Sequence, residues 1–124
     1  MFLKTHITDI GPDVADLIEG GVLILFAEGA PPELAEVSVL HKVETVDAKQ
    51  PAIGSKIRIG NLESSITAIG DYAWQKVLDI GHVVINFNGA AVAERPGEIC
   101  ASELSSSDLL ANLKSGQIIS ISSV

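Results

Sequence analysis

Twenty-six of the 124 residues are Ile or Val, spread through short runs that Gly and Pro keep interrupting. β-Branched side chains lose rotamer freedom in a helix and pack well on a pleated surface. The longest apolar run, Val22 to Ala27, is six residues, whereas a transmembrane helix needs about 20. A chain built this way is restricted to many short strands around one β-branched core. At this length it forms one domain, residues 1–124, large enough to bury a core without covalent staples.

The periodicity supplies the elements. Leu3 to Ile10 alternates and stops at Gly11-Pro12. Asp13 to Glu19 places Val14, Leu17 and Ile18 on one helical face, ended by Gly20-Gly21. Val22 to Phe26 is apolar on both faces, as expected of a strand buried on two sides. Pro32 to Glu36 reads as a helical turn with Pro at its start. Val37 to Val46 alternates, with Val37, Val39, His41, Val43 and Thr45 on one face and Ser38, Leu40, Lys42, Glu44 and Val46 on the other. Lys56 to Ile59 and Ser65 to Ile69 are short strands. Asp71 to Ile80 is a helix with Asp71 as its N-cap and Gly81 as its stop. His82 to Phe87, Glu98 to Ala101 and Gln117 to Ile121 are further strands, and Ser105 to Lys114 is a capped helix. No internal repeat is evident. The fold expected is mostly β: a small antiparallel barrel-like or sandwich-like domain with two or three short helices.

Charge and side-chain chemistry remove several functions. The net charge of −8 repels nucleic-acid phosphates and anionic lipids. A single cysteine, Cys100, excludes an internal disulfide framework and a Cys-rich zinc module. His6, His41 and His82 are far apart in sequence and form no local metal-binding motif. The N-terminal residues lack the basic and long apolar regions of a secretory signal, so a soluble cytoplasmic protein is expected.

His41 is the most informative residue, because it interrupts an otherwise apolar strand face. Two readings stand side by side. In one, it is a core histidine satisfied by backbone groups. In the other, it is a nucleophile: an apolar surround keeps imidazole neutral with a free lone pair, and shields a covalent adduct from water. Upstream, Glu28-Gly29-Ala30 is either a plain reverse turn or an anion-binding nest of backbone amides. Thr45 shares the face of His41 by alternation, whereas Ser38 and Lys42 do not. His82 follows a helix stop and is either a capping or edge histidine or a second polar group beside His41. His6 reads as a surface residue, Trp74 as core and Cys100 as an inert thiol.

The segment Phe26-Ala27-Glu28-Gly29-Ala30-Pro31-Pro32-Glu33-Leu34-Ala35-Glu36, followed by Val39-Leu40-His41, resembles the glucitol/sorbitol-specific enzyme IIA component of the bacterial phosphoenolpyruvate-dependent sugar phosphotransferase system. So do Thr67-Ala68-Ile69-Gly70, Gly81-His82-Val83, Phe87, Gly89 and Glu94-Arg95-Pro96-Gly97. The resemblance runs through nearly the whole chain in order. It implies a cytoplasmic phosphocarrier that takes a phosphoryl group from the phosphohistidine of HPr and passes it to the IIB part of a membrane sugar permease. It implies His41 as the acceptor through Nε2, with Nδ1–H held by an acceptor group. His82, Gly29, Ala30 and Thr45 are carried as supporting residues, no cofactor or metal is implied, and a homodimer is left open. Lys42 directly after His41 is a departure that bears on sugar preference. The alternative is a small β-barrel binding module without covalent chemistry, which a fully buried and unreachable His41 would favour. A carrier would instead show exposed apolar residues beside His41 as a docking patch.

Overall fold

The computed structural model describes residues 1–124. Eight strands close into a barrel: β1 (Leu3–Ile10), β2 (Val22–Ala27), β3 (Val39–Val46), β4 (Lys56–Ile59), β5 (Leu62–Ile69), β6 (Val83–Asn86), β7 (Glu98–Ala101) and β8 (Ile118–Ser122). Their order around the barrel is β1-β3-β2-β6-β7-β5-β4-β8. Closure pairs every strand on both sides and removes the edges that short apolar strands would otherwise expose. The interior is filled by the β-branched and Leu positions of alternating strands, among them Ile7, Leu23, Leu25, Val39, Ile66, Ile85, Ile99 and Ile119, none of which reaches solvent by more than 1%. Each such side chain contributes roughly 1.5–3 kcal/mol when fully buried.

Four helices pack outside or over the ends: α1 (Val14–Glu19), α2 (Pro32–Ala35), α3 (Ala73–Ile80) and α4 (Ser106–Asn112). This is one more than the upper count expected from sequence, the smallest being the single turn α2. α4 has the N-cap read from sequence: the Ser105 hydroxyl accepts the Asp108 N–H at 3.2 Å. Asp71 does not cap α3. The N-cap is Tyr72 and makes no side-chain capping bond. Two strand pairs, β2·β3 and β6·β7, are parallel, in an otherwise antiparallel barrel.

The chain also contains a structural repeat that the sequence hides. Apart from α2, inserted between β2 and β3, and α4, inserted between β7 and β8, the first half runs β1, α1, β2, β3, β4, and the second runs β5, α3, β6, β7, β8. Exchanging the halves strand for strand reproduces the barrel order read in the opposite sense, as a two-fold axis between β2 and β6 requires. Details follow the same relation. A ladder irregularity falls between Ile7 and Asp9 on β1 and between Ile66 and Ala68 on β5. Gly11 N–H donates to Ser38 O at 3.0 Å, and Gly70 N–H donates to Glu98 O at 2.7 Å. A Cβ at Gly11 would collide with Ala35 O, and one at Gly70 would collide with Pro96 O. Glycine therefore recurs where backbone meets backbone. The core positions accept any apolar side chain of suitable volume, so their identities have no reason to match.

Candidate functional site

His41 lies on β3, paired with Ile7 of β1 on one side and with Ala27 of β2 on the other. β3 enters the barrel with Val39 and His41 inward, so the ring is carried into the wall and is only 1% exposed. Two partners hold it. The ring Nε2–H donates to Gly81 O at 2.6 Å. A carbonyl can only accept, so the proton of the neutral ring is on Nε2. Nδ1 consequently accepts from the hydroxyl of Thr5, also at 2.6 Å. Thr5 is itself fully buried on β1.

The ring is held neutral. Burial is the main cause that pushes its pKa below the ordinary 6.5, and the charge of His6 adds to it, while the bond to Gly81 acts in the opposite direction. A neutral imidazole has one lone pair, and here that lone pair faces Thr5.

Gly81 is in place because α3 ends on it. Its φ of +63° is left-handed, its N–H donates to Val77 O at 3.0 Å, and His82 N–H donates to Lys76 O at 3.2 Å. A Cβ there would meet the Ala27 Cβ at 2.9 Å, so only glycine lets the turn come this close to β2. The two-fold-equivalent Gly21 uses its carbonyl differently, accepting Phe87 N–H at 2.8 Å. The position equivalent to His41 is Ala101, paired with Ile66 as His41 is with Ile7. The site therefore exists in one half only.

A groove of about 350 Å³ opens where these elements meet. Its walls include His41, Gly81, Ala27, Val43, Leu78 and Val77. Val46 and Ile80 form an apolar rim, 39% and 47% exposed, and Glu28, Lys42 and Asp79 supply the charges. His41 is thus covered by Gly81, yet forms part of the wall of a space that a partner side chain can enter. Exposed apolar residues flank it, as expected of a carrier.

The other residues singled out in the sequence are placed elsewhere. Thr45 does not share the face of His41. The β1·β3 register shifts between the pairs Lys4↔Thr45 and Thr5↔Val43, which leaves Glu44 as an extra residue. Such a bulge reverses the alternation, so Thr45 lies exposed opposite Lys4, away from the ring. Gly29 and Ala30 belong to the turn after β2, with Gly29 exposed at φ +85°, and neither lines the groove. Of this turn only Glu28 reaches the site: it lines the groove, and its N–H donates to His41 O at 3.1 Å. His82 turns away. Its Nδ1–H donates to Leu25 O at 3.0 Å and its ring packs on Phe26 at 4.8 Å. Its partner is thus a carbonyl of β2 and not one of the last helix carbonyls, and it lines a separate depression with Lys76 and Arg95. Strand alternation and helix-stop signals point to neither Thr5 nor Gly81 as a partner of His41. A signal for Thr5 was present: it interrupts the inward series Leu3, Thr5, Ile7 as His41 interrupts its own.

Comparison with known proteins gives concordant results. The family described as "PTS system glucitol/sorbitol-specific IIA component" matches residues 2–120. The glucitol/sorbitol-specific EIIA components of Shigella flexneri and Escherichia coli (strain K12) are each 35% identical over 97 residues, 77% of this chain and 77% of theirs. The crystal structure of a PTS system IIA component from Enterococcus faecalis V583 has the same fold, with a TM-score of 0.79 over 98% of this chain and 99% of that one, at 22% identity.

Proposed function

This chain belongs to the glucitol/sorbitol-specific IIA component family of the phosphotransferase system, and we propose that it carries the phosphoryl group on Nε2 of His41. It is a phosphocarrier of the sugar phosphotransferase system. The donor on this reading is the phosphohistidine of HPr. The acceptor is the IIB part of a glucitol/sorbitol-type permease, and the exchange takes place in the cytoplasm. Residues 1–124 act as one carrier domain. No helix of the chain is long and apolar enough to cross a membrane.

The observation that carries the reading is the position of His41 at the wall of the groove. Nε2 points to Gly81, which lines the groove together with His41, and Nδ1 points to Thr5, which does not line it. On this reading attack uses Nε2, the nitrogen that the family resemblance implies, once its proton has moved to Nδ1. The Nε2 lone pair forms the new N–P bond while the N–P bond of the donor breaks, and the electron pair returns to the donor imidazole. Transfer of this kind needs in-line positioning more than covalent assistance, and the apolar walls keep water from the adduct. The Val46–Ile80 rim gives a partner an apolar surface to dock on. The burial of His41 is the one feature that would suit a binding module without covalent chemistry, and membership of a IIA family weighs against that reading.

The test is phosphorylation by phosphoenolpyruvate, enzyme I and HPr. The expected result is the added mass of one phosphoryl group, labile in acid, absent in His41→Ala of unchanged fold. Labelling that persists in His41→Ala overturns the assignment.

A further inference from the structure

The ring of His41 rests in the tautomer that cannot attack. Nε2 holds the proton, given to Gly81 O, and the lone pair is on Nδ1 inside the barrel wall. A ring that carries phosphate on Nε2 must have its remaining proton on Nδ1. The proton therefore changes nitrogen before transfer, an isomerisation with no net gain or loss of protons or electrons. After it, Nδ1 is a donor and needs an acceptor in a place that water does not reach.

From the geometry we propose that Thr5 is the positioning residue that follows this exchange. Its hydroxyl donates to Nδ1 in the resting ring and reverses to accept Nδ1–H when Nε2 attacks and while the phosphoryl group is carried. The inference rests on His41 being the acceptor and names the group that sets its tautomer. A hydroxyl suits the task because it is both donor and acceptor and needs only to rotate. A backbone carbonyl could hold only one tautomer.

Three observations support it. Thr5 is fully buried, and the ring is the one hydrogen-bond partner of its hydroxyl, at 2.6 Å. Thr5 and His41 are held on neighbouring strands, where Thr5 pairs with Val43 and the next inward residue, Ile7, pairs with His41. The two-fold-equivalent hydroxyl is Ser64, also buried, which donates to Ser102 O at 2.7 Å. In the half without a histidine the hydroxyl is thus taken up by Ser102, through its carbonyl and its own hydroxyl. In the half with His41 it is kept for the ring.

The experiment compares Thr5→Val, close in shape but without the hydroxyl, with Thr5→Ser, which restores it. Two quantities are read: the ¹⁵N shifts of the His41 ring before and after phosphorylation, and the rate of phosphoryl transfer from phospho-HPr. The wild-type ring should show Nδ1 unprotonated at rest and protonated in the phosphorylated form. Thr5→Val should lower kcat for transfer by about 10- to 100-fold, the usual range for loss of a group that orients a histidine, with KM for the donor little changed. Its resting Nδ1 shift should move to that of an unbonded nitrogen. Thr5→Ser should recover most of both. Wild-type kcat in Thr5→Val, or a Thr5→Ser as slow as Thr5→Val, overturns the proposal. So does a resting ring protonated on Nδ1. Failure of the acceptor assignment is separate: it shows as labelling that survives His41→Ala, whereas the resting ring shifts are measured without any phosphoryl donor.

Discussion

Gly81 O accepts the Nε2–H of His41 at 2.6 Å across 40 residues of sequence, and only because Gly81 adopts a φ of +63°. A helix stop and a reactive ring are thereby one feature. Gly81→Ala tests the coupling. A left-handed Ala costs roughly 1–2 kcal/mol, and its Cβ would press on Ala27. The urea midpoint should fall accordingly, and the His41 Nε2 shift should move with it. A variant of unchanged stability and unchanged ring shift would show that the turn is not constrained.

The lowered pKa of His41 makes stability depend on pH with a definite sign. In the unfolded chain the ring titrates near 6.5, and in the folded protein lower. Between those two values the unfolded state binds more protons, so folding stability falls as pH drops. Above about 6.5 this contribution is constant. Wild type should therefore lose stability relative to His41→Gln as pH is taken from 7 to 5.5, measured by urea unfolding at each pH. A constant difference would mean that the ring is not desolvated.

The rim should govern encounter more than folding. Val46 and Ile80 are exposed, so Ile80→Asp or Val46→Asp should change stability by no more than about 0.5 kcal/mol. Each should raise KM for phospho-HPr by roughly tenfold, equivalent to ~1.4 kcal/mol of docking free energy. The ¹⁵N shifts of the His41 ring should stay as in wild type. Unaltered transfer kinetics in both variants would move the docking surface elsewhere.

Cys100 should be silent while the protein is folded. Its thiol is buried and its pKa is pushed up to about 11, chiefly by desolvation and then by the Glu98 carboxylate that accepts from it at 3.4 Å. At pH 8 roughly one thiol in a thousand is thiolate, the form that reacts. Iodoacetamide should label the protein only through unfolding, with a rate that rises with urea as unfolding does. Prompt labelling of the native protein would contradict the burial.

Much of this was written in the chain. Alternation marked the strands well, because the inward and outward faces of a closed barrel differ in polarity along each strand. His41 stood out because a polar residue on an inward face needs a reason to be there. The failures are instructive in the same terms. Strict alternation places Thr45 beside His41, and the extra residue Glu44 reverses its face. A bulge leaves no mark in a period-two pattern until the register of the neighbouring strand is known. His82 is adjacent to Gly81 in sequence, yet its ring turns to Leu25 and Phe26 while the Gly81 carbonyl turns to His41.

The sequence by itself determined a β-branched barrel-forming chain, the approximate bounds of its elements and one histidine out of place, since these follow from local periodicity and from side-chain chemistry. Tertiary structure alone decided the barrel order, the hidden two-fold, and the partners of that histidine. Thr5 and Gly81 are brought to His41 from 36 and 40 residues away. Contacts over such separations are set by which strands close the barrel and in what register, and neither is encoded in the period of any single strand.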